Sequence, residues 1–173
     1  MLDFSQYIRN IPDFPEPGVQ FKDITPLLQE PAAFRGVVDA FADHFSDRPF
    51  EVIAAVDARG FIFGGALAYR LGKSLIPIRK RGKLPYKTVE VEYELEYGRD
   101  AVAVHEDALR AGRRVLLVDD VIATGGTLAA SAKLIEKLGG EVVGIAALIE
   151  LNYLHGREKL QGYEIYSLIR YDQ

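Results

Sequence analysis

Three short runs, 51–56 (EVIAAV), 114–118 (RVLLV) and 142–151 (VVGIAALIEL), are almost wholly apolar and rich in Val and Ile. Such a run has no polar alternate to turn towards water, so it reads as a strand covered on both faces. Between the runs the period changes. Residues 61–71 read as a helix ending at Gly72, and SLIPIR (74–79) as the next strand. Residues 127–138 form a second helix, with Leu128, Leu134, Ile135 and Leu138 towards the core, stopped by Gly139-Gly140. Strand, helix, strand is the βαβ unit. The expected fold class is therefore α/β, a mainly parallel sheet flanked by helices.

The remaining segments fit around that sheet. Phe34, Val37, Val38, Phe41, Ala42 and Phe45 recur at helical spacing and predict a helix over 32–45. TVEVEYELEY (88–97) alternates with period two, with Val89, Val91, Tyr93, Leu95 and Tyr97 on one face and four glutamates on the other. It predicts a half-exposed strand, followed after Gly98 by a return strand at 100–105, together an antiparallel flap. A turn or short helix at 155–161 and a last strand at 164–169 finish the chain. The first 26 residues hold Pro12, Pro15, Pro17, Gly18 and Pro26 and read as turns and extended pieces, with a short helix around 3–10. Neither a repeat nor a low-complexity linker divides the 173 residues, so a single domain over 1–173 is expected.

Composition excludes several classes. The net charge of −4 argues against a general nucleic-acid binder, although Arg79, Lys80, Arg81 and Lys83 form a local basic run. With no cysteine there is no disulfide scaffold, thiolate zinc site or cysteine nucleophile. His44, His105 and His155 are too far apart in sequence for a close-spaced metal pair. The apolar stretches fall short of the ~18 residues of a membrane span. MLDFSQYIRNIPDF carries no continuous apolar stretch of the signal-peptide kind, so a cytoplasmic location without membrane partners is expected.

The stretch that carries chemistry is 114–127, RVLLVDDVIATGGT. A buried strand meets Asp119-Asp120, and a glycine-rich turn then leads into a helix. In open α/β sheets ligands bind at the carboxyl ends of strands. A glycine turn at a helix N-terminus offers free N–H groups and a partial positive charge, which suits a phosphate. Ala123, Thr124, Gly125, Gly126 and Thr127 are thus the candidate phosphate cradle. Neither GxxxxGK[ST] nor GxGxxG is present, so a Walker loop and a dinucleotide fingerprint are excluded. A receiver domain also opens on a strand ending in paired acids, but there that strand comes first and its phosphorylated Asp follows downstream. Two carboxylates beside a phosphate must bind something other than the phosphate. Ribose hydroxyls donate to carboxylates and Mg²⁺ prefers hard oxygens. The pattern fits a ribose 5-phosphate, with its hydroxyls on Asp119 and Asp120. Arg59, where strand 51–56 meets its helix, can hold a pyrophosphate with its forked N–H groups. The cations at 79–83 lie at the same sheet edge and can neutralise a leaving pyrophosphate.

VLLVDDVIATGGT resembles the phosphoribosyl-pyrophosphate motif of the type I phosphoribosyltransferases. FPEPGVQFKDITPLL (14–28), DARGFIFG (57–64), IRKRGKLP (78–85), YELEYG (93–98) and LHGREKL (154–160) are similar, in the same order, to segments of that family's adenine-specific branch. The resemblance implies the type I fold, with a hood over 1–26 and a flexible flap over 83–105. It implies transfer of a phosphoribosyl group to adenine, with Mg²⁺ as cofactor and a homodimer as the assembly. It gives Arg59 a contact to the pyrophosphate or the base region, and Arg79, Arg81 and Lys83 contacts to the pyrophosphate, Arg81 or Lys83 across a dimer interface. Glu96 becomes the base-binding acid and Tyr97 the tyrosine that closes over the site. Gln20, Phe21 and Lys22 become the adenine contacts, Phe21 by stacking and the other two through main chain. Oxopurine members carry Asp where this chain has Ala123. Two other readings stand beside adenine transfer: a transferase for hypoxanthine, guanine or xanthine, and a non-catalytic regulator that binds phosphoribosyl pyrophosphate.

Overall fold

The structure is a computed structural model that describes residues 1–95 and 97–173. A one-turn 3-10 helix, Phe4–Tyr7, is capped by the Asp3 side chain and leads into β1 (Arg9–Pro12). β2 (Gln20–Asp23) pairs antiparallel with β1 in a separate two-stranded sheet. α1 (Thr25–Gln29) and α2 (Pro31–His44) follow, then β3 (Val52–Val56), α3 (Gly60–Leu71) and β4 (Ser74–Lys80). β5 (Thr88–Glu94) and β6 (Arg99–His105) form the flap, β7 (Arg114–Ile122) and α4 (Gly126–Lys137) the central unit. β8 (Glu141–Leu151) and β9 (Ile165–Tyr171) close the sheet, joined through two short 3-10 turns, Asn152–Leu154 and Gly156–Leu160.

The main sheet runs β5-β6-β4-β3-β7-β8-β9. β4, β3, β7, β8 and β9 are mutually parallel, and β6 and β5 add an antiparallel edge. Alternate strand residues feed two cores. Ile53, Leu116 and Val118 pack with Phe41, Phe63 and Leu67 under α2 and α3. Val52, Ala54, Val115 and Leu117 pack with Leu128, Leu134 and Ile135 of α4 on the other face. Both faces of β3 and β7 are thus covered, which is why their sequences show no polar alternate.

The order in which strands are added reverses between β3 and β7, although the two run parallel. β3 is followed by β4 on one side, whereas β7 is followed by β8 and β9 on the other. That is the switch point at which such sheets open a crevice. β7 departs from the expected 114–118 by running on to Ile122. Its pairing with β3 stops at Val118, but β8 continues alongside it to Glu150. Asp119 and Asp120 therefore lie inside a strand that is held on one edge and open on the other.

The N-terminal part differs most from expectation. A short helix around 3–10 gives way to the 3-10 turn and β1, which finds its partner in β2 across the turn at 13–19. α1 was not anticipated, because Pro26 reads as a breaker. It sits in the first turn of α1, where its missing N–H costs nothing. In the flap, Val89, Val91 and Tyr93 pack on the α4-side core as the alternation implies. Leu95 and Tyr97 lie past the end of β5 and are exposed.

Candidate active site at the strand ends

The crevice between β3 and β7 opens into a cavity of about 620 Å³. Gln20, Phe21 and Lys22 line one side of it. Arg59, Arg79, Asp119, Asp120, Ala123 and Thr127 line the rest. Thr124 and Gly125 join Asp119, Ala123 and Thr127 around a smaller adjoining recess at the start of α4. These elements bring together the residues that the sequence suggested for base, ribose and phosphate: Gln20, Phe21 and Lys22, the Asp119-Asp120 pair, and Ala123, Thr124, Gly125 and Thr127.

The recess is built from backbone. Gly125 adopts φ +85°, and a Cβ there would meet the Gly156 carbonyl oxygen at 2.4 Å. Gly126 begins α4, and a Cβ on it would approach the Tyr93 ring at 3.3 Å. No side chain caps α4, so its first-turn N–H groups face the recess without an intrahelical partner. Thr127 donates its hydroxyl to the Tyr93 phenol at 3.2 Å.

The acid pair is asymmetric. Asp120 is 5% exposed and accepts from Arg59 Nε at 2.5 Å. Asp119 accepts the Asp120 backbone N–H at 2.8 Å. Burial, and then the neighbouring Asp120 carboxylate, push the Asp119 carboxyl well above its ordinary range. Gly60, at the start of α3, lies so close that a Cβ would stand 3.1 Å from Asp119 Oδ1 and from the Val118 carbonyl. A side chain at this position would crowd the acid pair, so glycine suits the close start of α3.

The cations divide into two groups. Arg59 reaches from Asp120 towards Phe21, with its guanidinium 5.4 Å from the ring centroid. Arg79 donates to Asp57 at 3.0 Å, and Lys80 pairs with Asp100 at 3.1 Å; both line the cavity. Arg81 does not line it. It donates to Glu90 at 2.6 Å and Glu92 at 2.9 Å on the outer face of β5. Glu92 and Glu94 also pair with Arg99, at 3.7 and 3.9 Å, so each of the three described glutamates of this face meets a cation. Lys83 is exposed on the following turn. Tyr97 is 87% exposed and stands away from the cavity. Glu96 lies outside the described residues.

On the wall formed by Gln20, Phe21 and Lys22, β2 is an edge strand. Pro12 stands opposite Gln20 and Asn10 opposite Lys22. Proline has no N–H to give, so the Pro12–Gln20 pair is a non-hydrogen-bonded one. The N–H and C=O groups of Gln20 and Lys22 consequently point away from β1, towards the free edge. The Lys22 side chain is turned aside, donating to Asn10 at 2.9 Å and lying 4.2 Å from the Tyr171 ring centroid. Its contribution to the cavity is main chain.

Sequence reasoning missed Tyr93, Tyr153 and Leu154. Tyr93 was read as a member of a strand face and of the YELEYG block, and nothing in either signals that its hydroxyl meets Thr127. Tyr153 and Leu154 line the cavity from the turn after β8. Their signal was available, because LHGREKL begins directly past the carboxyl end of a buried strand.

Comparison with known proteins agrees with this build. The family model of the phosphoribosyl transferase domain matches residues 23–168. The adenine phosphoribosyltransferase of Thermotoga neapolitana is 55% identical over 170 residues, covering 98% of this chain and all of that one. The crystal structure of adenine phosphoribosyltransferase from Thermoanaerobacter pseudethanolicus superposes with a TM-score of 0.95 at 54% identity, over 97% of this chain and 98% of that one. APRTase from Giardia lamblia, complexed with 9-deazaadenine, gives a TM-score of 0.92 at 37% identity, over 99% and 97% of the two chains. Near-full-length identity of this order, on a sheet whose strand ends are built as described, shows that the chain belongs to the adenine phosphoribosyltransferase family.

Proposed function

We propose that this chain transfers the 5-phosphoribosyl group of phosphoribosyl pyrophosphate to adenine, giving AMP and pyrophosphate. The observation that carries the reading is the meeting, in one cavity, of the free edge of β2, the Asp119-Asp120 pair and the recess at the start of α4. Their order matches the order of base, ribose and phosphate in a nucleotide. The 9-deazaadenine complex of the Giardia lamblia relative supports a purine in this fold.

In this reading the 5-phosphate sits against the N–H groups of 124–127, with the Thr124 hydroxyl as a further donor and the Thr127 hydroxyl turning to it from Tyr93. Asp119 and Asp120 accept from the ribose hydroxyls and fix the sugar for in-line attack. A ring nitrogen of adenine bonds to the anomeric carbon as the bond from that carbon to the pyrophosphate oxygen breaks. Arg79 and Lys80, already at the cavity wall, take up the charge that develops on the leaving group. Arg59 exchanges its bond to Asp120 for the incoming substrate. The proton released from the ring nitrogen goes to Glu96, an assignment that rests on sequence alone. The Gln20 carbonyl accepts from the exocyclic amine and the Lys22 N–H donates to the adjacent ring nitrogen. A 6-oxo base would set carbonyl against carbonyl and leave a buried polar group unpaired, at a cost of about 1–3 kcal/mol.

Mg²⁺ fits this donor set as an ion carried in by substrate. Among the described residues no cluster of three or more His, Asp or Glu gathers to cage a metal. Mg²⁺ keeps several waters and takes one or two carboxylates plus phosphate oxygens. Asp119 and Asp120 would hold it beside the substrate's own oxygens. When bound, it neutralises charge on the leaving pyrophosphate.

We also propose a cytoplasmic homodimer. No helix among the described residues is long and apolar enough to cross a membrane. Ile62 and Tyr69, two turns apart on α3, are exposed together with Leu75 on β4. A dimer through this face would leave the loop carrying Arg81 and Lys83 to serve the partner's site while the flap at 83–105 closes to exclude water.

The test is the paired variant Asp119→Asn and Asp120→Asn. AMP formation should fall at least about ten-fold while the circular dichroism and thermal transition remain those of a folded protein. Turnover close to the parent chain would remove the ribose assignment.

A further inference from the structure

The proposed reaction leaves one deeply buried acid unused. Glu150, near the carboxyl end of β8, is 2% exposed. Its carboxylate accepts from Arg157 Nε at 2.5 Å and Nη2 at 2.9 Å, and from the Ser167 hydroxyl at 2.6 Å. Arg170 Nε stands 3.6 Å away. Burial alone would raise this carboxyl. The bonds from Arg157 and Ser167 outweigh that and hold it below its ordinary value, so the group is charged at neutral pH.

The forked pair closes a short strap, 151–156. The strap makes a 3-10 turn over Asn152–Leu154, passes through His155 at φ +55°, and reaches Gly156. Its two ends serve different walls of the site. Tyr153 and Leu154 line the same cavity as Gln20, Phe21 and Lys22. Gly156 lies against the phosphate loop, where a Cβ on it would meet the Ala123 carbonyl at 2.6 Å and the Gly125 nitrogen at 3.3 Å. The contact holds from the other direction as well, since a Cβ on Gly125 would meet the Gly156 carbonyl. Two backbones pressed together in this way move together. Arg157 is the next residue, and Glu150 is what fixes it.

We infer that Glu150 and Arg157 form a latch that positions the strap, and through it both the base wall and the phosphate loop of the transferase. The inference rests on the proposed reaction. Neither residue touches the reacting atoms, so both are positioning residues. A planar fork fixes direction as well as distance, which a point charge does not. Ser167 provides an internal control. It bonds the same buried carboxylate from β9, outside the strap, so losing it weakens the network without releasing the strap.

The experiment compares Arg157→Lys, which keeps the charge and loses the fork, with Ser167→Ala. Two readouts are taken on the full chain. One is kcat and KM separately for adenine and for phosphoribosyl pyrophosphate. The other is hydrogen exchange at the amides of 123–128 in the free protein. Arg157→Lys should raise both KM values about five- to ten-fold, change kcat by less than about three-fold and speed exchange at 123–128. Ser167→Ala should lower the thermal midpoint and leave both KM values and that exchange unchanged. Unaltered KM and exchange in Arg157→Lys would overturn the latch, as would equal effects of the two variants. A parent chain that makes no AMP would overturn the transferase reading instead, and exchange at 123–128 would still decide the latch.

Discussion

Gly125→Ala is a sharp test of the phosphate loop, because its effect can be worked from the structure. The residue holds φ +85°, where a Cβ costs about 1–2 kcal/mol. The new methyl would also stand 2.4 Å from the Gly156 carbonyl oxygen and 3.1 Å from its carbonyl carbon and Cα. Those atoms are backbone and cannot rotate away. To bring the 2.4 Å contact out to ~3.0 Å the loop and the strap must part by about 0.6 Å. An amide-to-phosphate bond of about 2.9 Å would stretch to about 3.5 Å, the outer limit for such a bond. Losing two charge-assisted bonds at about 1.5 kcal/mol each raises KM for phosphoribosyl pyrophosphate about 100-fold. Initial rates at varied phosphoribosyl pyrophosphate and saturating adenine read this directly. Gly162→Ala is the control for strain alone. Gly162 holds φ +92° with nothing within 4 Å of a Cβ. It should lower the thermal midpoint by about 2–4 °C per kcal/mol and leave KM alone. A Gly125→Ala protein with KM within about three-fold of the parent would refute the argument that this backbone contact sets the cradle.

Phe21→Ala should raise KM for adenine about ten-fold through lost stacking and leave KM for phosphoribosyl pyrophosphate unchanged, in the same rate assay. Removing Mg²⁺ with a chelator should stop AMP formation and leave the thermal midpoint of the free chain unchanged, because the ion is carried by substrate and not by the fold. Glu51 tests the opposite end of the strands, just before β3. It accepts the Arg114 backbone N–H at 2.7 Å and the guanidinium at 2.7 and 3.2 Å, which hold its carboxyl down from 4.5 to about 2. A depressed carboxyl stabilises the fold above its unfolded value and loses that effect as pH falls through the folded one. Glu51→Gln should therefore unfold at a lower temperature than the parent at pH 7, with the difference closing between about pH 5 and pH 2 and kcat unaffected.

The fold was legible wherever burial left a one-sided signature. β3, β7 and β8 announce themselves because strands covered on both faces admit no polar alternate. The phosphate cradle was legible for a related reason: a glycine turn after such a strand leaves few other chemistries. The hood was not. β1 is four residues long and exposed on most of them, so its only signal is a partner in β2 that pairing supplies and periodicity does not. The end of β7 was misjudged because Asp119-Asp120 reads as a strand end. It is one towards β3, but not towards β8, and a single sequence does not say which edge will be free. In the site, Asp120 and Arg59 were each visible as candidates. Their bond spans 61 residues and is a product of the switch point. Arg81 was read as a pyrophosphate ligand from its place in the basic run and from the family resemblance, which set Arg81 or Lys83 across a dimer interface. In the single chain it is taken up by Glu90 and Glu92, which the alternation had left looking like a solvated face. Glu150 was hidden for the opposite reason, being one polar residue near the end of an apolar run.

The account stands or falls on which base the β2 edge accepts. Purified protein would be mixed with Mg²⁺, phosphoribosyl pyrophosphate and, in turn, adenine, hypoxanthine, guanine and xanthine, and the nucleotides separated by chromatography. The account predicts AMP from adenine and no nucleotide from the three oxopurines. IMP, GMP or XMP at a comparable rate would contradict the assignment of Gln20, Phe21 and Lys22. No nucleotide from any base, from a folded protein that binds phosphoribosyl pyrophosphate, would contradict the transferase itself.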